Sequence, residues 1–213
     1  MKSRVFLYIL LALFFAAALP AGAQDFGLQS LGVFHDTLWL ANSDTDSAPS
    51  PILSVWGCSL RLGLDEKWSV APEIAFTSVE YFYRDDIAYP AEIEYADAVK
   101  TLNILFSVPF GYRYELAEDI IIHWGTGPAF SFKVPYKTYG NASSGDVAGY
   151  FMQKGRFFHW EGSADLEWKF FESLAFHVRA RVLLPLYRIW DGDKMPLYDG
   201  LMFGVGFGLR LVY

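Results

Sequence analysis

The chain has 213 residues, of which 53% are hydrophobic and 18% aromatic, and it carries 24 acidic against 17 basic residues. The acidic balance argues against nucleic acid as a partner. The single cysteine, Cys58, excludes an internal disulfide and therefore a disulfide-stapled secreted module.

The start of the chain predicts a cleaved signal peptide. Two basic residues precede an apolar run over residues 5–19, and small residues follow at 21–23. The alternative is a membrane anchor, but an apolar run of about 15 residues is shorter than the roughly 18 to 20 that a spanning helix needs. We therefore predict a signal peptide over residues 1–23 and one exported domain over residues 24–213.

The exported domain shows the alternation of apolar and polar residues that is typical of β-strands. Eight segments carry it: 26–40, 52–64, 68–83, 102–116, 120–136, 158–170, 174–190 and 201–213. The first segment is irregular, and a β-bulge near residues 30–32 or near residues 35–36 would restore its phase. The last segment is regular, with large apolar side chains at its odd positions and three glycines among its even ones.

Connections of two kinds alternate strictly between these segments. Three are short turns, at residues 65–67, 117–119 and 171–173, and four are long loops, at residues 42–50, 84–100, 137–154 and 191–199. Bacterial transmembrane barrels have short periplasmic turns and long outer loops. The sequence therefore predicts an all-β fold, an eight-stranded antiparallel up-and-down transmembrane β-barrel.

The volume of the side chains indicates which face of the barrel is outside. The lumen of an eight-stranded barrel is narrow and only just filled by side chains. One face carries most of the Trp and Phe residues, and the other carries mainly Gly, Ala and Ser. We predict that the aromatic face contacts lipid. Five rings are expected to form a girdle at the turn end: Trp68, Tyr112, Tyr114, Trp168 and Tyr213.

With these features the chain resembles the small eight-stranded outer-membrane β-barrels of diderm bacteria, the OmpW, OmpX, OmpA-barrel and opacity-like group. The more specific parts of the resemblance are residues 105–114, residues 123–130 and the last strand. The resemblance implies location in the bacterial outer membrane, contact with its lipid bilayer and insertion by the barrel-insertion machinery. The assembly signal would be Phe207, Leu209, Leu211 and Tyr213. Tyr213 stands where the group usually has Phe. A monomer without a cofactor or metal is expected.

Inward positions of the turn-side half predict a charged lumen. They are Arg61, Glu73, Arg113, His123, Asp165, Glu167, His177, Arg179, Arg181 and Arg210. Extrapolating from the turns places Asp165 opposite Arg179, and Glu167 opposite His177. Charges of mixed sign at cross-strand spacing can pair. The lumen is interpreted as a structural ion-pair plug, with a gated ion path as the alternative.

Inward positions of the loop-side half are apolar or tyrosine. They are Leu53, Val55, Val79, Tyr81, Tyr83, Leu105, Phe157, Leu183, Tyr187 and Ile189. Strands longer than the roughly 9 to 11 residues that cross a bilayer project beyond it, so these side chains can pack as a small core. The functional alternative is a vestibule for a small hydrophobic ligand, a role associated with OmpW-like barrels.

Two other classes of function remain. The long loops, acidic between residues 84 and 100, can serve as a surface for adhesion or host contact. An enzyme that modifies lipid A, as some outer-membrane barrels do, is the least favoured class. Glu167 opposite His177 resembles a base with its orienting group, but no nucleophilic serine joins them.

Overall fold

A computed structural model describes residues 27–40, 52–84, 87–91, 98–138, 158–187 and 201–213. In this part of the chain no helix is both long and apolar enough to cross a membrane. The predicted signal peptide and most of the predicted loop residues lie outside the described residues.

Within the described residues eleven strands make one antiparallel sheet, and ten of them close into a ring. They are β1 (Gly27–Leu40), β2 (Ile52–Gly63), β3 (Trp68–Val70), β4 (Glu73–Arg84), β5 (Ile87–Ala91), β6 (Ala98–Ser107), β7 (Phe110–Ala117), β8 (Ile120–Thr138), β9 (Phe158–Phe171), β10 (Leu174–Tyr187) and β11 (Met202–Val212). Strand β5 pairs with β4 alone and lies outside the ring. Because β3 continues into β4 and β6 into β7, the other ten strands fill eight positions around the ring. The predicted up-and-down barrel is confirmed.

The two interruptions fall at prolines. Pro72 separates β3 from β4, and Pro109 separates β6 from β7. Proline has no amide hydrogen to donate to a ladder, yet the neighbouring carbonyls keep the wall continuous. Leu60 donates to the carbonyl of Pro72, and Ala71 donates to the carbonyl of Pro109.

Strand β5 corrects the prediction of an uninterrupted loop over residues 84–100. It pairs with β4 from Glu80 to Arg84. The β2–β4 register places Ile52, the first residue of β2, level with Glu80, so β4 projects beyond β2 and its edge would be open there. An uncovered strand edge leaves backbone N–H and C=O groups without partners. Pairing with β5 provides those partners.

The turn between β2 and β3 is organised by a carboxylate. The backbone amides of Lys67 and Trp68 each donate to Asp65 Oδ1 at 2.7 Å. These two donors hold the pKa of Asp65 below its ordinary value, because they favour the charged form. The other two turns are at residues 118–119 and 172–173, so each is one residue shorter than predicted. A register shift beside each turn restores the predicted pairing further along.

The first and last strands close the ring. The register runs from Ser30 opposite Val212 to Leu40 opposite Met202. A shift in the pairing with β2 falls between Leu28 and Ser30, close to the first of the two predicted bulge positions. From Ser30 to Trp39, even-numbered residues are buried and odd-numbered residues are half-buried or exposed.

The outer wall is apolar and aromatic, as predicted. Trp124, Trp168 and Phe207 expose more than half of their surface, and the odd positions of β11 all face outward. The girdle residues lie on this face, with Trp68 packed against Tyr112 at a ring distance of 5.0 Å. Exposed rings and aliphatic side chains around a closed sheet are stable only in contact with lipid. We call this outer surface the lipid belt.

Candidate functional site in the barrel lumen

A first group of buried charges joins four strands across the lumen. Asp36 lies on β1, Glu73 on β4, Glu161 on β9, and Arg179 and Arg181 on β10. Arg179 donates from Nε to Asp36 Oδ1 at 2.8 Å and from Nη1 to Glu73 Oε2 at 2.8 Å. Arg181 donates to Asp36 Oδ2 at 2.9 Å and to Glu161 Oε2 at 2.7 Å. Two guanidinium groups therefore hold three carboxylates. We call these five residues the outer charge group.

A second group lies nearer the turn end. Arg210 donates to Glu167 Oε2 at 2.9 Å and to Asp165 Oδ2 at 3.0 Å. Arg61 reaches the same two oxygens at 3.4 Å. The ring nitrogens of two histidines lie beside the carboxylates: His177 Nδ1 is 3.3 Å from Asp165, and His123 Nε2 is 3.6 Å from Glu167. We call these six residues the inner charge group.

The predicted strand register is found, but the contacts differ from cross-strand pairs. Asp165 is opposite Arg179 and Glu167 is opposite His177. In the structure Arg179 instead contacts Asp36 and Glu73, while the imidazole of His177 lies against Asp165. In so narrow a lumen, long side chains reach strands that are not their neighbours. Among the described residues, Glu167 is near His123 rather than His177, so the suggested pair of a base and its orienting group does not form.

Two residues of the outer charge group were not predicted. Asp36 lies in the irregular first segment, where alternation gave no reliable inward face. Glu161 has the same parity as Asp165 and Glu167 on β9, so strand periodicity alone could have identified it. Arg113, which was predicted to join the network, is partly exposed and pairs with Glu115 at 2.6 Å. It therefore lies at the mouth of the lumen.

Glycines of β11 provide the space for these side chains. A Cβ atom at Gly206 would overlap the Asp36 carboxylate and lie 2.5 Å from the carbonyl oxygen of His35. One at Gly208 would overlap His177, and one at Gly204 would lie 3.0 Å from the Arg181 side chain. On β2, Gly57 makes room for the ring of Phe34, which covers the guanidinium of Arg179 at 3.7 Å. A cation over an aromatic face is stabilised there.

An apolar layer closes the lumen on the loop side of the charges. Its buried members are Phe34, Leu38, Leu53, Val55, Ala75, Val79, Leu105, Ala129 and Leu183. Five of the ten predicted vestibule residues belong to it: Leu53, Val55, Val79, Leu105 and Leu183. The side chains of Tyr81, Tyr83 and Tyr187 and all of Phe157 and Ile189 lie outside the described residues. The described members of this layer pack against one another as a core.

The buried charges of this lumen form ion pairs. Each of the nine buried acidic and arginine side chains in the two groups has at least one partner of opposite charge. Buried charges are tolerable when they are paired and hydrogen-bonded in this way. A closed ring of eight antiparallel strands, with a lipid belt outside and paired charges inside, defines a small outer-membrane β-barrel. The protein is therefore placed in a bacterial outer membrane.

Comparison with solved structures finds the same class. Neisserial surface protein A (NspA) aligns over 86% of this chain and 95% of its own, with a TM-score of 0.51 and 7% sequence identity. A second similar structure is Ail, the attachment invasion locus protein of Yersinia pestis, in complex with the heparin analogue sucrose octasulfate. It aligns over 86% of this chain and 97% of its own, with a TM-score of 0.40 and 13% identity. Its backbone structure in a phospholipid bilayer nanodisc gives a TM-score of 0.41, 12% identity and coverage of 86% and 99%. No protein-family model and no curated protein matches the sequence.

Proposed function

We propose that this barrel is a closed scaffold that presents its acidic outer loops to cationic partners at the cell surface. The observation that supports the proposal most directly is the filled lumen. Two charge groups and an apolar layer occupy its described length, so transport through it would require their rearrangement. A rigid wall that carries loops is a common arrangement for binding.

The charge of the loops favours a cationic partner. Between residues 84 and 100 there are five acidic residues, Asp85, Asp86, Glu92, Glu94 and Asp97, against Arg84 and Lys100. Strand β5 lies within this stretch and is hydrogen-bonded to β4. Part of the acidic stretch is thereby attached to the rigid wall. Clustered charge of one sign raises the rate and affinity with which a partner of opposite charge binds.

The test is binding of a fluorescent oligolysine peptide to the refolded barrel in phosphatidylcholine vesicles. Changing the five acidic residues of 84–100 to their amides is expected to weaken binding at least tenfold, and added salt should weaken wild-type binding. Deletion of residues 141–149 is the matched control, because it shortens another loop and removes only Asp146 among its charges. Equal affinity of the amide variant and the wild type would contradict the proposal.

A small hydrophobic ligand is the second candidate, and the apolar layer is the observation that favours it. Leu53, Val79 and Leu183 would form the floor beneath such a ligand, and the predicted tyrosines Tyr81, Tyr83 and Tyr187 would form its walls.

Insertion by the barrel machinery through Phe207, Leu209, Leu211 and Tyr213 also stays a proposal, supported by their outward direction on the last strand. The monomeric state likewise remains a prediction.

A further inference from the structure

The lipid belt has a recess on the side formed by β7 to β10. Its volume is about 630 Å³. The floor consists of the small outward-facing residues Thr126, Gly162, Ala164 and Ala180. On the neighbouring strand β11 the outward positions are large, as Phe203, Val205 and Phe207 show. The recess is therefore a local feature of the wall, which we call the belt groove.

The belt groove runs diagonally from the turn end toward the middle of the membrane. The register aligns Trp68, Tyr112, Trp124, Ala164 and Ala180 on successive strands. Four inter-strand steps of roughly 4.8 Å make this row about 19 Å long. Trp68 follows directly after the turn, whereas Ala180 lies in the middle of β10. Because the row is diagonal, the depth that it covers is less than its length and lies within one leaflet, which is about half of the roughly 30 Å hydrocarbon thickness.

The walls of the groove are apolar rings, and its floor offers no free polar group. Phe110 and Trp124 stand beside the floor, each with about half of its surface exposed. Thr126 is the one hydroxyl of the floor, and it is used internally. It donates to the carbonyl of Glu161 at 2.9 Å and accepts a hydrogen bond from Trp160 Nε1 at 2.7 Å. The groove therefore presents mainly hydrocarbon and aromatic surface.

The position of the groove on the outer wall bears on what it can bind. It is continuous with the lipid belt, which is already in contact with the bilayer. Its floor is recessed behind rings, so the convex wall of a second barrel would leave a void there, while a flexible chain can follow it. We propose that the belt groove binds one acyl chain of a phospholipid from the periplasmic leaflet, with the lipid phosphate at Lys67.

Lys67 is suited to that role because it lies next to Trp68, at the lower end of the groove, and is exposed. Two carboxylates precede it in the same turn: Glu66 is exposed to solvent, and Asp65 is held in place by the amides of Lys67 and Trp68. An ammonium at the interface beside an indole provides both charge and apolar contact for a phospholipid headgroup.

The proposal is tested by native mass spectrometry of the barrel extracted from vesicles of phosphatidylethanolamine and phosphatidylglycerol. The wild type is expected to retain one phospholipid. In Gly162→Phe a ring occupies the groove, and retention should fall at least tenfold. A Cβ at Gly162 meets only Val182, at 3.5 Å, so the barrel should still fold, which heat-modifiable gel migration checks. Lys67→Gln should weaken retention severalfold, and Cys58→Phe, an outward change on β2, should leave it unchanged.

A second readout places the lipid. Phosphatidylethanolamine with brominated acyl chains should quench the fluorescence of Trp124 more in the wild type than in Gly162→Phe. The Trp124 signal is obtained by subtracting the fluorescence of the corresponding Trp124→Phe variants. Equal retention by the wild type and by Gly162→Phe would overturn the proposal, as would the absence of any retained phospholipid in the wild type. The oligolysine test is independent, since it concerns the opposite end of the barrel.

Discussion

Replacing Asp36 with alanine is expected to lower the free energy of unfolding by about 3–5 kcal/mol, the usual cost of removing one partner from a buried ion pair. The loss is large because Asp36 serves both Arg179 and Arg181. Arg179 keeps Glu73, and Arg181 keeps Glu161, but each guanidinium loses one of its acceptors. Asp36 also connects β1 to β10 across the glycines of β11, so its removal weakens the closure of the ring. Urea-induced unfolding of the barrel in lipid vesicles measures the change.

Thr37→Ala is the matched control for Asp36→Ala. Thr37 is the next residue along β1, is not fully buried and faces the belt rather than the lumen. Its replacement should change the stability by no more than about 0.5 kcal/mol. If the two variants unfold at the same urea concentration as the wild type, Asp36 does not hold the outer charge group together.

Replacing Gly206 with alanine is expected to destabilise the barrel by about 1–3 kcal/mol, the range found when a packed core is overfilled. The added methyl would overlap the Asp36 carboxylate and lie 2.5 Å from the His35 carbonyl oxygen. The second contact is with backbone and cannot be relieved by a change of rotamer. The same unfolding measurement in vesicles gives the result.

Gly162→Ala makes the same chemical change on the outer face. Its nearest neighbour would be Val182 Cγ1 at 3.5 Å, an ordinary contact. Alanine is intrinsically better than glycine within a strand by roughly 0.5–1 kcal/mol, so this variant should be neutral or slightly more stable. Opposite effects of the two substitutions are therefore expected. A Gly206→Ala variant as stable as Gly162→Ala would show that the lumen has more room than the structure indicates.

The fold could be predicted because strand alternation and turn spacing act locally. The β9–β10 hairpin shows this: its turn placed Asp165 opposite Arg179, and the structure has that register. Which face of the strands points outward followed from side-chain volume, because the rings of Trp56, Trp124 and Phe207 cannot share a narrow lumen. These arguments need only neighbouring segments of the chain.

The predictions failed where the position of a side chain depends on strands that are distant in the sequence. On β1, Phe34 and Leu38 are apolar yet point inward, the first over Gly57 and the second into the apolar layer, so the alternation was obscured and Asp36 was missed. The actual partners of Arg179 come from β1 and β4, neither of which neighbours β10. The belt groove depends on the register of five strands at once, and no single segment of sequence contains it.

The central claim is that the charge groups and the apolar layer close the lumen, and single-channel recording in planar bilayers tests it most directly. The wild-type barrel is expected to show no conductance steps. Arg179→Ala removes the side chain that joins Asp36 to Glu73 and is expected to give steps above the wild-type level. Wild-type steps as large as those of Arg179→Ala would contradict the account, because they would show that ions pass while the charge groups are intact.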